Sequence, residues 1–257
     1  MTQKVVVITG ASSGIGAALA RNLGARGDRL VLAARREALL KKVASDSGAE
    51  AITVVADVTK RKDVEKIRDA AMAKFGHVDV WVSNAGYATG KKVMDLTDQE
   101  FQEIIDVVLK SVFYGMQTIV PHFQERGEGH LINVSSTLGR VPIVSFRSVY
   151  SASKAAVNSL SSNLRMDLRK YPNIKVSTVL PGMVDTNFHA VAGSPFRPKA
   201  GEKVGQAVVM SAEQVAEQIA NLIDHPVPEL YIPAGGAELA KQYFQDVGAF
   251  EERMAQW

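Results

Sequence analysis

Short, almost wholly apolar runs alternate with longer amphipathic segments along nearly the entire chain. The runs are rich in β-branched residues and have the length of buried strands; they cover residues 4–9, 29–34, 51–56, 78–83, 130–135, 175–180 and a seventh stretch around Leu230. The segments between them carry apolar residues at helical spacing and include residues 15–26, 36–45, 63–75, 98–125 and 150–170. This alternation predicts an α/β fold, a parallel sheet of about seven strands with helices on both faces. Ligands of such sheets bind beyond the carboxyl ends of the strands.

The whole chain, residues 1–257, is predicted to form one domain. Of its 257 residues, 46% are hydrophobic and 22% are charged, which is enough apolar material for a large core. No linker, repeat or low-complexity tract divides it. A long connection with little regular pattern, residues 187–210, interrupts the alternation, and we expect it to be a substrate loop.

Composition argues against several kinds of chemistry. The absence of cysteine excludes disulfides and thiolate catalysis and fits a reducing compartment. The amino-terminal apolar run is too short for a signal peptide, and no span is expected to reach bilayer length. The net charge of +3 is dispersed, and the five histidines do not pair at metal-ligand spacing. We therefore expect a cytoplasmic protein with no metal and no nucleic-acid or membrane partner.

The loop after the first apolar run reads TGASSGIG and opens a helix. Gly10, Gly14 and Gly16 would let a pyrophosphate approach backbone N–H groups at the helix amino terminus, where a side chain would block it. A glycine-rich turn that binds nothing is the alternative. The strand–turn–helix context favours a dinucleotide site.

Four motifs in order resemble those of the short-chain dehydrogenase/reductase family. TGASSGIG is followed by NAG at residues 84–86, YSASK at 150–154 and PGMVDT at 181–186, and the resemblance runs from Lys4 to about Ile232. It implies a Rossmann-type, doubly wound sheet and hydride transfer with a nicotinamide cofactor. The cofactor-binding residues that it implies are Gly10, Ser12, Ser13, Gly14, Ile15, Gly16, Asp57, Val58, Asn84, Ala85, Gly86, Tyr150, Lys154, Pro181, Gly182, Val184 and Thr186.

The end of the second apolar run selects between NAD and NADP. A carboxylate there would bind the adenosine ribose, but this chain has Ala33 and Ala34, followed by Arg35 and Arg36. A guanidinium matches a 2′-phosphate, which an acid would repel. The two arginines could instead begin the next helix in solvent. The sequence favours NADPH, with Arg35 as the better candidate and Arg36 as its partner.

Tyr150 and Lys154 lie one helical turn apart in YSASK. A free tyrosine has a pKa of about 10, and an ammonium within reach stabilises the phenolate and lowers that pKa. Packing would explain an isolated pair of this kind. Beside the other motifs, Tyr150 is predicted to be the acid when a carbonyl is reduced and the base in the reverse reaction. The resemblance implies that Lys154 also binds the nicotinamide ribose.

Two serines end the fifth apolar run. The family's catalytic serine precedes x-x-G, which selects Ser136 as the second hydrogen-bond partner of the substrate oxygen. Ser135 is expected to face the other side of the strand and to be structural. Ser136 precedes Tyr150 by fourteen positions, about one more than is usual in the family, so we expect a bulged loop between them.

One position departs from the family pattern. The family places an asparagine in the long helix after the fourth strand, where it supports a water that links the lysine to solvent. The matching position here is Val108, which cannot hold a water by hydrogen bonding. The proton route differs, turnover is slower, or catalysis has been lost.

Apolar residues near the expected site predict a hydrophobic ketone, aldehyde or secondary alcohol as substrate; they are Leu138, Val144, Phe146, Met183 and Phe188, with Phe196 beyond them. His189 follows the PG motif, and Arg147 and Arg197 are expected at the surface rather than on an acidic substrate. Residues 98–125 and 150–170 are apolar around much of their helices. The resemblance implies that these helices pair in a homodimer or homotetramer.

Three functions remain open from the sequence. The leading one is an NADPH-dependent carbonyl reductase, and the second is an NADP-linked alcohol dehydrogenase that uses the same residues in the opposite direction. The third is a non-catalytic NADP-binding regulatory or scaffold protein of the same fold. Val108 supports the third, whereas Ser136, Tyr150 and Lys154 favour an enzyme.

Overall fold

A seven-stranded parallel sheet forms the centre of the computed structural model, which describes residues 3–188, 198–204 and 207–254. Its strands are β1 (Val5–Thr9), β2 (Arg29–Ala34), β3 (Ala51–Val55), β4 (Val80–Ser83), β5 (Gly129–Val134), β6 (Ile174–Pro181) and β11 (Glu229–Ile232). They lie in the order β11-β6-β5-β4-β1-β2-β3. The chain thus winds outward from β1 in one direction and from β4 in the other, so the carboxyl ends of β1 and β4 meet at a topological switch point.

Helices cover both faces of the sheet. They are α1 (Gly14–Ala25), α2 (Glu37–Ser47), α3 (Arg61–Phe75), α4 (Asp98–Ile105), α5 (Ser111–Arg126), α6 (Ser148–Asp167), α7 (Ala212–Asp224), α8 (Gly235–Gln245) and α9 (Val247–Met254). One core joins a face of the sheet to α1, α2 and α7, and the other core joins the opposite face to α3, α5 and α6. Because both faces are covered, strands such as β1 are buried at every residue.

The predicted fold class is confirmed, and the central strands lie within two residues of their predicted bounds. The helix predicted over residues 98–125 is not regular. A π-helical turn, Asp106–Lys110, separates α4 from α5, and the backbone N–H of Ser111 donates to the carbonyl of Asp106. An inserted residue of this kind leaves the helical spacing on either side intact, so hydrophobic periodicity does not reveal it.

The continuous helical run Asp98–Arg126 corrects the expectation that no span reaches bilayer length. Its 29 residues are long and apolar enough to cross a membrane by length and composition. Half of its most apolar window is buried inside the fold, where α5 packs against the sheet. A core helix of a soluble α/β protein has these properties.

The predicted substrate loop is described only in part, because residues 189–197 and 205–206 lie outside the described ranges. The described part contains the short strands β8 (Lys203–Val204) and β9 (Ala207–Val208). It is bordered by β7 (Val184–Asp185), which precedes it, and by β10 (Met210–Ser211), which begins at its last residue. β10 runs parallel to β7, and β8 and β9 form a small antiparallel pair. The connection therefore has more regular structure than its sequence predicted.

Candidate active site

Hydrogen bonds join the loops that follow β1 and β4. The Thr9 hydroxyl oxygen accepts the backbone N–H groups of Asn84, at 3.0 Å, and of Ala85, at 3.2 Å. The Asn84 side-chain amide donates to the Thr9 carbonyl at 3.0 Å. The TGASSGIG and NAG motifs are thus neighbours at the switch point, although 75 residues separate Thr9 from Asn84.

The glycines of the first loop form a cradle lined by backbone. Gly10 and Gly14 have φ angles of 66° and 56°, which residues with a side chain rarely adopt. A Cβ atom at Gly10 would lie 2.8 Å from the Ala85 Cα, and one at Gly16 would lie 2.6 Å from the Gly10 carbonyl oxygen. The loop can therefore pack closely and present N–H groups at the start of α1, which fits the pyrophosphate of a dinucleotide.

Arg36, rather than Arg35, reaches this cradle. The Arg36 Nη2 donates to the Ser12 hydroxyl at 2.9 Å and to the Ser13 hydroxyl at 2.7 Å. Both arginines are exposed, and among the described residues only Arg36 donates hydrogen bonds to Ser12 and Ser13. The sequence favoured Arg35 for the 2′-phosphate, and these contacts make Arg36 the candidate nearer to the loop. Arg36 is the amino-terminal capping residue of α2 and has an extended backbone.

The remaining predicted cofactor residues lie along the same edge of the sheet. Asp57 and Val58 follow β3, where the Asp57 carboxylate accepts the Thr59 N–H at 3.1 Å. Pro181 ends β6, and the Gly182 N–H donates to the Ile232 carbonyl at 2.8 Å. The other members of the set are Ile15 in α1, Gly86 after β4, Val184 in β7, and Thr186, whose Cγ2 would lie 3.3 Å from a Cβ at Gly14.

The three predicted catalytic residues converge beyond β5. Ser136 begins the turn Thr137–Gly139, where its hydroxyl accepts the Leu138 N–H at 3.1 Å. Tyr150 lies in the first turn of α6, and the Lys154 Nζ is 5.6 Å from the centroid of the Tyr150 ring. Lys154 is only 3% exposed, and its Nζ donates to the Val134 carbonyl at 2.7 Å.

Burial dominates the protonation of this site. It raises the pKa of Tyr150 to about 12, although a hydrogen bond with Ser136 and the charge of Arg147 act to lower that pKa. Burial also lowers the pKa of Lys154 to about 7. The expectation that Lys154 lowers the Tyr150 pKa is thus wrong for the chain alone, because desolvation of the phenolate outweighs nearby charge. The phenol keeps its proton at neutral pH, as a general acid must.

Ser135 and Asn158 hold the frame around these residues. The Ser135 hydroxyl donates to the Lys154 carbonyl at 3.1 Å, as expected of a structural serine. The Asn158 side chain donates to the Gly139 carbonyl at 3.0 Å and ties the turn after β5 to α6. The sequence did not single out Asn158, which lies one turn after Lys154 on the same face of the helix.

Arg147 is buried, contrary to the expectation that it lies at the surface. Only 4% of the residue is exposed, and its Nη1 donates to the Thr89 carbonyl at 2.8 Å. The sequence carried a signal that was missed. Arg147 directly precedes α6, and a cation at the amino terminus of a helix opposes the helix dipole. An arginine at this unfavourable position indicates that other contacts hold it there.

Phe188 is the predicted substrate residue that comes closest to the chemistry. Its ring centroid is 5.4 Å from that of Tyr150, and its Cε2 would lie 3.7 Å from a Cβ at Gly86. Phe146 is 36% exposed, whereas Leu138, Val144 and Met183 are half-buried in the loops after β5 and β6. His189, Phe196 and Arg197 lie outside the described residues.

Val108 lies in the π-helical turn and is fully buried. It packs with Ile104 and Val149, and Tyr87 and Tyr150 contact the same cluster. The surroundings of Val108 are therefore mainly apolar and adjoin Tyr150.

Comparisons with known proteins agree with this arrangement. A family model described as short chain dehydrogenase matches residues 4–194. An uncharacterized oxidoreductase of Staphylococcus epidermidis is 32% identical over 224 residues, which is 87% of this chain and 92% of that protein.

Two solved structures share the fold and carry different cofactors. An alcohol dehydrogenase of the archaeon Thermococcus sibiricus, complexed with 5-hydroxy-NADP, matches with a TM-score of 0.77 and 30% identity, covering 90% of this chain and 96% of that one. A short chain dehydrogenase/reductase from Burkholderia phymatum, in complex with NAD, matches with a TM-score of 0.85 and 26% identity, covering 96% and 95%. The likeness thus indicates a nicotinamide cofactor without selecting its phosphorylated form.

Proposed function

The chain belongs to the short-chain dehydrogenase family of oxidoreductases, and on that premise we propose that it reduces the carbonyl of a hydrophobic ketone or aldehyde with NADPH. The observation that carries this proposal is the convergence of Ser136, Tyr150 and Lys154 at one end of the sheet, with the tyrosine half-buried and its phenol protonated. The same residues would support oxidation of a secondary alcohol.

In reduction, a negative charge develops on the substrate oxygen. In this proposal Tyr150, which is protonated at neutral pH, donates its proton to that oxygen, and the Ser136 hydroxyl supplies a second hydrogen bond. Lys154, with a pKa of about 7, can take up and release a proton at neutral pH beside the phenol. The carbonyl of Val134 holds the Lys154 side chain in place at 2.7 Å.

A reduced nicotinamide, when bound, supplies the hydride. The residues that would hold the dinucleotide are the glycines of the first loop, the NAG loop after β4, Lys154 and Thr186. Ala33 and Ala34 leave the end of β2 without a carboxylate, and Arg36 lies over Ser12 and Ser13. A guanidinium in this place supports a preference for the 2′-phosphate of NADPH.

Apolar surfaces support a hydrophobic substrate and an assembly of several copies of the chain. Phe188 beside Tyr150 supports a hydrophobic carbonyl compound. Phe101 of α4 and Phe113 of α5 are 49% and 37% exposed, which supports a homodimer or homotetramer built on this helical layer. We further propose that the protein acts in the cytoplasm.

The test is an absorbance assay of reduced nicotinamide with a panel of ketones and aldehydes. We expect consumption of NADPH, faster than of NADH, and greater for aromatic or branched substrates than for short polar ones. The proposal would be contradicted if NADPH binds, as measured by its fluorescence, but no carbonyl or alcohol is turned over. That result would favour the non-catalytic NADP-binding protein.

A further inference from the structure

Arg147 has no part in the reaction proposed above, yet it is buried beside the acid of that reaction. We propose that Arg147 is a positioning residue, which holds Phe188 and the loop after β4 around Tyr150 and favours ionisation of the phenol. The inference rests on the proposed function, because it assigns the guanidinium to the same site.

The first argument is the attachment of Arg147 to the loop after β4. Its Nη1 donates to the Thr89 carbonyl at 2.8 Å, and its backbone forms an isolated parallel bridge with Lys91. Both the side chain and the main chain of one residue thus hold this loop against the start of α6. The loop begins with Asn84, Ala85 and Gly86, the predicted cofactor residues.

The second argument is a row of neighbouring cationic and aromatic groups. The guanidinium carbon lies 5.6 Å from the centroid of the Phe188 ring, which is within the range of a cation–π contact. The Phe188 ring lies in turn 5.4 Å from the Tyr150 ring. The ring of Phe146, the residue before Arg147 in the chain, also lies beside the guanidinium, with its centroid 5.5 Å from the guanidinium carbon. Arg147 therefore holds the aromatic wall that faces the phenol.

The third argument is electrostatic. The polar and charged groups that act on Tyr150 are Ser136 from the turn after β5, and Lys154 and Arg147 from or beside α6. Tyr87, from the loop after β4, packs against the same apolar cluster as Tyr150. The charge of Arg147 lowers the Tyr150 pKa, and no carboxylate of the described residues contributes to that pKa. Lys154 loses its charge near neutral pH because its pKa is about 7. Burial lowers the pKa of Arg147 from its ordinary value of 12.5, against the raising effect of the Tyr150 charge. A guanidinium nevertheless stays charged at neutral pH, so Arg147 is the cation of the site where Lys154 is losing its charge.

The experiment measures ionisation of Tyr150 in the NADP⁺ complex by tyrosinate absorbance, which needs no turnover. Each protein is compared with its own Tyr150→Phe counterpart, so that the difference reports this phenol alone. Arg147→Gln keeps a donor for the Thr89 carbonyl and removes the charge, Arg147→Met removes both, and Arg147→Lys keeps the charge. Arg165→Met, a partly buried arginine near the other end of α6, is the matched control.

We expect the apparent pKa of Tyr150 to rise by roughly one unit in the Gln and Met variants, and to stay near the wild-type value in the Lys variant and the Arg165 control. At a pH below that pKa, alcohol oxidation should fall by about tenfold in kcat/KM for each unit of the rise. Hydrogen exchange of residues 86–91 should quicken most in Arg147→Met.

Two results would overturn the inference. One is an unchanged Tyr150 ionisation in a folded Arg147→Gln protein, and the other is an equal change in the Arg165 control. Absence of turnover by the wild type, by contrast, would refute the proposed function, and the phenol titration would still decide whether Arg147 acts on Tyr150.

Discussion

At the scale of single residues, burial sets the chemistry of this site. The Tyr150 phenol and the Lys154 ammonium both lie in a desolvated environment, which drives each towards its neutral form. A neutral phenol can donate a proton, and a lysine near its midpoint can exchange one. The ability of this pair to exchange protons therefore depends on their location in the fold as much as on their spacing in the sequence.

Tyr150→Phe should abolish the proton donor and keep the ring. We expect carbonyl reduction to fall by ~10²–10⁴ in kcat, the usual contribution of general acid catalysis. The Phe188 contact depends on the ring, so NADPH affinity and the melting temperature should change little. Steady-state kinetics and NADPH fluorescence titration provide the measurements. A phenylalanine variant as fast as the wild type would refute the assignment of Tyr150.

Arg36→Ala should weaken the preference for NADPH over NADH. Loss of a charge-assisted contact with a 2′-phosphate is worth ~1.5–3 kcal/mol, or about tenfold to a hundredfold in the ratio of the two kcat/KM values. Arg35→Ala is the matched control, because Arg35 is the neighbouring exposed arginine and, in the part of the chain that the structure describes, only Arg36 bonds Ser12 and Ser13. If the Arg35 variant loses the preference and the Arg36 variant keeps it, our reading of the Ser12 and Ser13 contacts is wrong.

At the scale of elements, loops and one irregular helical turn place the site. The loops after β1 and β4 meet through Thr9 and Asn84, and the turn after β5 is tied to α6 through Asn158. The π-helical turn Asp106–Lys110 places Val108 in the apolar cluster against which Tyr150 packs. Wide turns of this kind are frequent at functional sites.

Val108→Asn should destabilise the protein. We expect the natural protein, with valine at this position, to be active already. The site is a mainly apolar cluster of Ile104, Val108 and Val149, so an unpaired amide there costs ~1–3 kcal/mol of unfolding free energy. Val108→Thr is the matched control, because its hydroxyl can bond a carbonyl of its own helix. Urea unfolding and kcat against pH are to be measured for all three proteins. An asparagine variant that alone turns over NADPH would favour loss of catalysis in the natural protein.

At the scale of the whole molecule, two apolar cores enclose the sheet and bury polar groups within it. His130 in β5 is 5% exposed, and its Nε2 donates to the Ser177 hydroxyl at 2.8 Å, since that hydroxyl itself donates to the Val227 carbonyl at 2.6 Å. Burial, with the charges of Lys4 and Lys175, lowers the His130 pKa to about 4. Protonation of this ring is thus coupled to unfolding.

The stability of the protein should fall as the pH is lowered from 6.5 to 4. In that window the unfolded chain binds a proton at His130 and the folded chain does not, because the folded pKa of about 4 lies below the ordinary value of 6.5. The unfolding free energy should therefore decrease by up to ~3 kcal/mol at this residue. His130→Gln should flatten the dependence, and the exposed His225→Gln should not. Equal slopes in the wild type and His130→Gln would contradict this account.

The sequence by itself determined the fold class and the order of the motifs, because strands buried on both faces and helices at regular spacing leave a strong local pattern. The same holds for the glycines of the first loop, whose backbone needs them. Only the tertiary structure decided that Arg36 faces the loop, that Arg147 is buried beside Tyr150, and that a π-helical turn holds Val108. The positions of the two arginines depend on which distant segment each side chain contacts, and the π-helical turn depends on a single inserted residue. Hydrophobic periodicity records neither of these.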